Sequence, residues 1–314
     1  MKKRVVFIMV ILFLFLPLLA GCNGDSADNG EEPVETMAIE DRGYINDDLL
    51  VSVEWVQENL EDEDLLVIDA RGEDAYKGGH IPGAVVTAWQ SFADVEASHG
   101  EGFGVLLAPE DLSPLFQNLG VEDSKTIVVY ADPNGWGEDG RLVWMFRMAG
   151  LESTHILDGG WPAWTEGDFE VSREGTEPTP SNIEISNFND DMTVSTDWLA
   201  ENREDVVVLD TRTENEYNGA TDFGEARGGH IAGATHLFWA DLFNLDYTVK
   251  TQSEIESIMG DLGVEKSDTI VAYCTAGIRS AHTALVLRMA GYENAKNYDA
   301  SFYEWSAIDD LPVE

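Results

Sequence analysis

The sequence predicts two α/β domains in tandem, each a parallel β-sheet with helices on both faces. Three observations lead there. One pattern of residues occurs twice, at an offset of about 140 residues. Within each copy, short apolar runs alternate with amphipathic stretches. A segment rich in chain breakers separates the copies.

The repeat rests on three matched blocks. LLVIDARGEDAYKGGHIPGAV (65–85) matches VVVLDTRTENEYNG (206–219) followed by GGHIAGAT (228–235). LGVEDSKTIVVYAD (119–132) matches LGVEKSDTIVAYCT (262–275), and FRMAGLESTHILDGGWPAW (146–164) matches LRMAGYENAKNYDASFYEW (287–305). The offset is 141 from Asp69 to Asp210, 150 from His80 to His230, 143 from Tyr130 to Tyr273 and 141 from Gly150 to Gly291. The second copy therefore carries nine extra residues just before its GHI motif. A repeat of this length is a domain rather than a solenoid unit. Leu65–Ile68, Thr126–Tyr130, Val206–Leu209 and Thr269–Tyr273 are short apolar runs of buried-strand type. Glu54–Leu60, Pro109–Leu119 and Ala281–Ala290 have helical spacing, the last closed by Gly291. Gly175, Pro178, Pro180 and Ser181 mark the linker. The domains are expected at 46–172 and 190–314, with the linker at 173–189.

The start of the chain reads as an address rather than as fold. Lys2, Lys3 and Arg4 precede the apolar run Val5–Ala20, which ends in Leu19-Ala20-Gly21-Cys22. Residues 1–21 are expected to be a signal peptide, and Cys22 resembles the lipid-acceptor cysteine of a bacterial lipobox. Residues 22–45 then serve as a flexible tether. The protein would be exported and lipid-anchored to the outer face of the cell membrane, touching the membrane only through that lipid. An uncleaved anchor is the alternative, although the run is short for a span.

Sixty acidic against 18 basic residues give a formal net charge of −42. Such a surface repels nucleic acid and anionic lipid, which excludes both as partners. Solubility in a salty medium is its plain reading, and a halophilic or an alkaliphilic source fits equally. The oligomeric state is not legible. With Cys22 acylated, Cys274 is the one free thiol. A lone thiol outside the cytoplasm is an oxidation liability, so its retention asks for a reason.

Paired D-x-R…GHIxGA motifs, a strand entering a C-x-x-G-x-R loop and a trailing aromatic segment together resemble tandem sulfurtransferases of the rhodanese family, over about residues 48–312. The resemblance implies two rhodanese-like domains, a silent first one and an active second one, with the site in the cleft between them. It also places Asp210 and Arg212 near the active loop, bracing its backbone. His230, in the GHI turn, is assigned to the same surrounding shell, with a structural hydrogen bond as its plainer role.

The loop Cys274-Thr275-Ala276-Gly277-Ile278-Arg279-Ser280 lies between a strand and a helix. Backbone N–H groups gather at such a crossover, where the helix dipole is positive. Gly277 permits a tight turn, and Arg279 adds a full charge. Thr275 and Ser280 could bond an anion or cap the helix. This setting lowers a thiol below its ordinary pKa of ~8.5 and favours the thiolate. The expected chemistry is a two-step exchange. Cys274 takes a sulfane sulfur from a small donor anion such as thiosulfate or mercaptopyruvate, or from a persulfide. It then passes that sulfur to a thiol or cyanide. No cofactor is called for, and the six His and two Cys residues lack metal-ligand spacing. Three alternatives stand beside it: a sulfur carrier or sensor without turnover, a phosphatase or arsenate reductase of related fold, and an inert buried Cys274. The C-x4-R spacing argues against the second, whose loop resembles C-x5-R.

In the first copy Ala131 replaces the cysteine, and Asp132, Glu138 and Asp139 would repel an anion. Trp136 reads as a loop tip, with a wall of the cleft as the alternative. Trp161, Trp164, Phe302, Tyr303 and Trp305 read as core and covering aromatics. Thr275 and Ala276 stand where thiosulfate enzymes tend to carry basic residues, and Glu216 where a basic substrate residue is common. Arg227, in the nine-residue insertion, has two readings: a substrate contact that supplies the missing positive charge, or an ordinary surface-loop residue.

Overall fold

A computed structural model describes residues 37–314. The expected signal peptide, the lipid-bearing Cys22 and the tether up to residue 36 lie outside the described residues. The first domain runs β1 (Leu50–Val51), α1 (Val53–Asn59), β2 (Leu65–Asp69), α2 (Glu73–Gly78), β3 (Val85–Val86), α3 (Pro109–Leu119), β4 (Thr126–Tyr130), α4 (Glu138–Met148), β5 (Thr154–Leu157) and α5 (Gly160–Glu166). The second repeats it as β6 (Thr193–Val194), α6 (Thr196–Asn202), β7 (Val207–Asp210), α7 (Glu214–Tyr217), β8 (Thr235–His236), α8 (Gln252–Asp261), β9 (Ile270–Tyr273), α9 (Ile278–Met289), β10 (Ala295–Tyr298) and α10 (Ser301–Ala307).

Each domain builds one five-stranded parallel sheet, in the orders β1-β5-β4-β2-β3 and β6-β10-β9-β7-β8. Central strands of a parallel sheet are covered on both faces, so they read as unbroken apolar runs. The Ile-Val-Ala-Tyr run of β9 is buried at every residue. Ser52 and Ser195 start the equivalent helices α1 and α6 by accepting the N–H three residues on, as N-caps do. Both sheets and their helices match the expected fold class.

Two expectations need correction. Helix α9 begins at Ile278, three residues before the expected Ala281, because Gly277 (φ 78°) is the residue that caps it. Ile278, Arg279 and Ser280 thus belong to the first helical turn, not to a loop. The stretch read as tether also ends too late. From residue 37 on, the chain is fastened across both domains. Arg42 Nη1 pairs with Asp158 of the first domain at 2.7 Å and donates to the Val249 carbonyl of the second at 3.0 Å. Tyr44 donates to the carbonyls of Val249 and Lys250, and the Asn46 N–H to that of Met289. A polar sequence does not stay loose when its one arginine finds a buried carboxylate.

The domains meet through α4 and α9, which pack side by side. Their close approach depends on Gly140. A Cβ there would lie 2.3 Å from the His282 ring. One apolar core runs through this contact, joining Leu142, Val143 and Phe146 to Ala281, Leu285 and Val286. The linker crosses as extended chain, with Ile183 and Ile185 buried.

Candidate active site

Cys274 follows the last residue of β9 and is 1% exposed. The next turn of chain is held from outside. The N–H groups of Phe302 and Tyr303 at the start of α10 donate to the carbonyls of Cys274 and Thr275, both at 3.0 Å. Ser301, in the left-handed region (φ 53°), accepts the Cys274 N–H at 3.1 Å. With its carbonyls occupied, the loop leaves N–H groups for the sulfur. Burial pushes the Cys274 thiol up, but the Arg279 charge, the N–H and hydroxyl of Ser280 and the N–H of Ala276 together bring it below its ordinary value. Ser280 Oγ is fully buried with no oxygen or nitrogen partner.

Arg279 is not a free cation. Its Nη1 and Nη2 donate to the two oxygens of Glu216 at 2.8 and 2.7 Å, and Nη2 also donates to Thr275 Oγ1 at 2.7 Å. Thr275 in turn donates to Glu216 at 2.9 Å, so it neither caps the helix nor stands free to hold an anion. Burial would raise the Glu216 carboxyl, but Arg279 and Thr213 bring it down to about 2. The ion pair is nearly sealed, with side chains 3% and 2% exposed. Nothing in the sequence marks Glu216 as this partner, since 63 residues separate it from Arg279.

A cavity of about 270 Å³ opens over the sulfur. Trp89 and Phe103 of the first domain line it, together with Phe223 and Tyr303 of the second. Trp136 closes it from the matching loop of the first domain, and its ring carries the Arg279 guanidinium 4.9 Å from its centroid. The loop-tip reading of Trp136 is thereby replaced by the wall reading. Ala276 and Ile278 line the same cavity as apolar contacts.

The first domain also reaches under the loop. Arg141, fully buried, donates from Nη1 to the Gly277 carbonyl at 3.1 Å and from Nη2 to that of Gly104 at 2.7 Å, and pairs with Asp299 at 2.5 Å. Gly277 sits in this corner without room for a side chain: a Cβ would meet the Asp299 carbonyl at 2.5 Å. In the first domain, where Ala131 stands in place of the cysteine, the equivalent N–H groups are taken by acids. Asp139 accepts from Gly140 at 2.7 Å, and Glu138 from Trp136 at 2.8 Å.

Arg227 does not contact substrate space. Its guanidinium donates to the carbonyls of Trp305, Ser306, Ile308 and Leu311, which fastens the insertion to the end of α10 and the chain just after it. His230 is outside the shell around the sulfur: its ring stacks on Tyr217 at 3.8 Å and bonds the Tyr217 carbonyl. Asp210 and Arg212 form a fully buried pair that reaches the loop indirectly, through Tyr273, whose hydroxyl donates to Asp210 at 2.6 Å, and through Phe302, whose ring lies 4.0 Å from the Arg212 guanidinium. The first domain has the same arrangement in Asp69, Arg71 and Tyr130, so the pair serves the fold in both copies.

Residues 52–167 and 195–308 each match the family model of the rhodanese-like domain. Among curated relatives, the sulfur carrier protein TtuD of Thermus thermophilus is 32% identical over 287 residues, spanning 86% of this chain and 98% of the relative. The 3-mercaptopyruvate sulfurtransferase of Escherichia coli is 32% identical, covering 84% and 97%, and the thiosulfate sulfurtransferase of Azotobacter vinelandii 31%, covering 85% and 97%. Among solved structures, the anaerobic ergothioneine biosynthesis enzyme of Chlorobium limicola superposes with a TM-score of 0.76 at 24% identity, over 86% of this chain and 71% of that one.

Proposed function

The chain belongs to the family of rhodanese-like domains, present in two copies, and from that premise we propose that it is a sulfurtransferase working through a Cys274 persulfide. The carrying observation is the buried thiol held below its ordinary pKa by Arg279 and the N–H groups around it. The thiolate attacks the outer sulfur of the donor. A new S–S bond forms, and the donor's own bond to that sulfur breaks. Its electron pair leaves as sulfite from thiosulfate, as the enolate of pyruvate, which takes up a proton, from mercaptopyruvate, or as a thiolate from a persulfide. The N–H groups that held the thiolate are placed to hold the persulfide anion. An acceptor thiolate or cyanide then attacks the outer sulfur and returns the pair to Cys274. No external oxidant or reductant enters, and the kinetics are ping-pong.

Thiosulfate and mercaptopyruvate are the donors named in the relatives, and a thiol or cyanide is the acceptor we assign. The lysine-arginine start followed by Leu-Ala-Gly-Cys supports export and a lipid on Cys22. A carrier role without fast turnover is the second reading, favoured by the Thermus relative's name. Mass spectrometry of the Cys274 peptide after exposure to thiosulfate tests the proposal. A gain of one sulfur, absent in Cys274→Ser, is expected. An unmodified peptide with every donor tried overturns it. Multiple turnovers to thiocyanate with cyanide separate the enzyme from the carrier.

A further inference from the structure

Charge and shape at the mouth of the site single out a class of partner. Arg279 is the one basic side chain lining the cavity among the described residues, and Glu216 neutralises it through two short hydrogen bonds. Once Cys274 is a thiolate, that trio is already net negative. Glu138 adds a further carboxyl to the lining. Glu225, 6% exposed, leaves Oε1 buried with no partner, and it acts electrostatically on Tyr303 in the cavity wall. A dianion entering here meets no uncommitted positive side chain and several negative ones.

The walls present π faces and edges instead. Trp136 and Phe223 meet edge to face at 5.2 Å across the domain boundary, and Phe103 and Tyr303 at 5.6 Å. Trp136 and Phe223 are 43% and 40% exposed, among the few large apolar side chains left open to solvent. The insertion unique to the second copy supplies Phe223, and its backbone is fixed there by the Tyr303 hydroxyl and by Arg227. Aromatic faces attract organic cations through the ring quadrupole, and a neighbouring carboxylate adds to that attraction.

We propose that the aromatic cavity over Cys274 takes an ammonium-bearing organic sulfur compound, with Trp136, Phe223 and Tyr303 receiving its cationic group, in preference to a small dianion. The inference rests on the sulfurtransferase reading, since it names the organic partner of that same thiol. Its test does not require sulfur transfer.

The full chain is alkylated with the uncharged reagent iodoacetamide at constant ionic strength, and modification of the Cys274 peptide is followed by mass spectrometry. Three probes of similar size compete: choline, its uncharged carbon analogue 3,3-dimethylbutan-1-ol, and the anion isethionate. Choline is expected to protect at a concentration about tenfold below that of the alcohol, with isethionate protecting least. Trp136→Ala and Phe223→Ala, both at exposed positions, should each bring choline and the alcohol to parity. Equal protection by choline and alcohol in the parent protein overturns the cation preference, and stronger protection by isethionate reverses it. A protein that never forms a persulfide but shows the choline preference sinks the enzymatic reading and keeps only the cation preference of the cavity.

Discussion

At the scale of single residues, the site is governed by how three charges share a small buried volume. Cys274 and Glu216 both draw on Arg279. Replacing Glu216 by Gln keeps the shape and removes a negative charge, which leaves the guanidinium to the sulfur. The Cys274 thiolate is then favoured further, so the pH midpoint of its alkylation should fall by about one unit. The KM for thiosulfate should fall about tenfold. An unchanged midpoint would mean that Arg279 does not set the thiol's ionisation. Cys274, Gly277 and Arg279 were legible in the sequence because their chemistry is tied to one short loop. Glu216 and Arg141 were not, because the contacts that give them a role join distant parts of the chain. Arg227 shows the converse failure. Its charge suggested a substrate, whereas four carbonyls claim all of it.

At the scale of elements, four interior strands were legible, while the short edge strands and a central helix were not. Strands β2, β4, β7 and β9 announce themselves as β-rich apolar runs. Helix α4 has buried residues on every side from Asp139 to Met148, so it shows no amphipathic period to detect. The start of α9 was displaced because a left-handed Gly277 resembles a loop residue until its place as the N-cap is seen. The nine-residue insertion was found by counting offsets, but its purpose came from contacts. Arg227→Ala should release it from the chain after α10 and remove the Phe223 wall. A loss of about 2 kcal/mol in unfolding free energy is expected, from charged hydrogen bonds to buried carbonyls. Urea unfolding measures it, and a change below 0.5 kcal/mol would show the insertion to be held by other contacts.

At the scale of the molecule, the interface between the halves carries a titration. Burial raises the Asp139 carboxyl to about 6 and lowers His282 to about 4, and the two sit 3.7 Å apart where α4 meets α9. Below pH ~4 the protonated Asp139 costs nothing relative to the unfolded chain. As pH rises through about 6, the fold must bury a carboxylate that the unfolded chain would expose, and stability is lost. His282 acts in the opposite sense: its neutral burial favours the fold above pH ~6.5 and is lost as pH falls toward about 4. Asp139→Asn should therefore stabilise by about 2 kcal/mol at pH 8 and by nothing near pH 4. Thermal unfolding across that range checks it, and a pH-independent difference refutes it.

Arg141 has a wider meaning for how the duplicated chain is organised. The first domain has no thiol of its own, yet its guanidinium is bolted to Gly277 and Asp299 beneath the loop that carries Cys274. Separating the copies would therefore expose Asp299 and leave its corner unbraced, and would strip Trp89 and Trp136 from the cavity over Cys274.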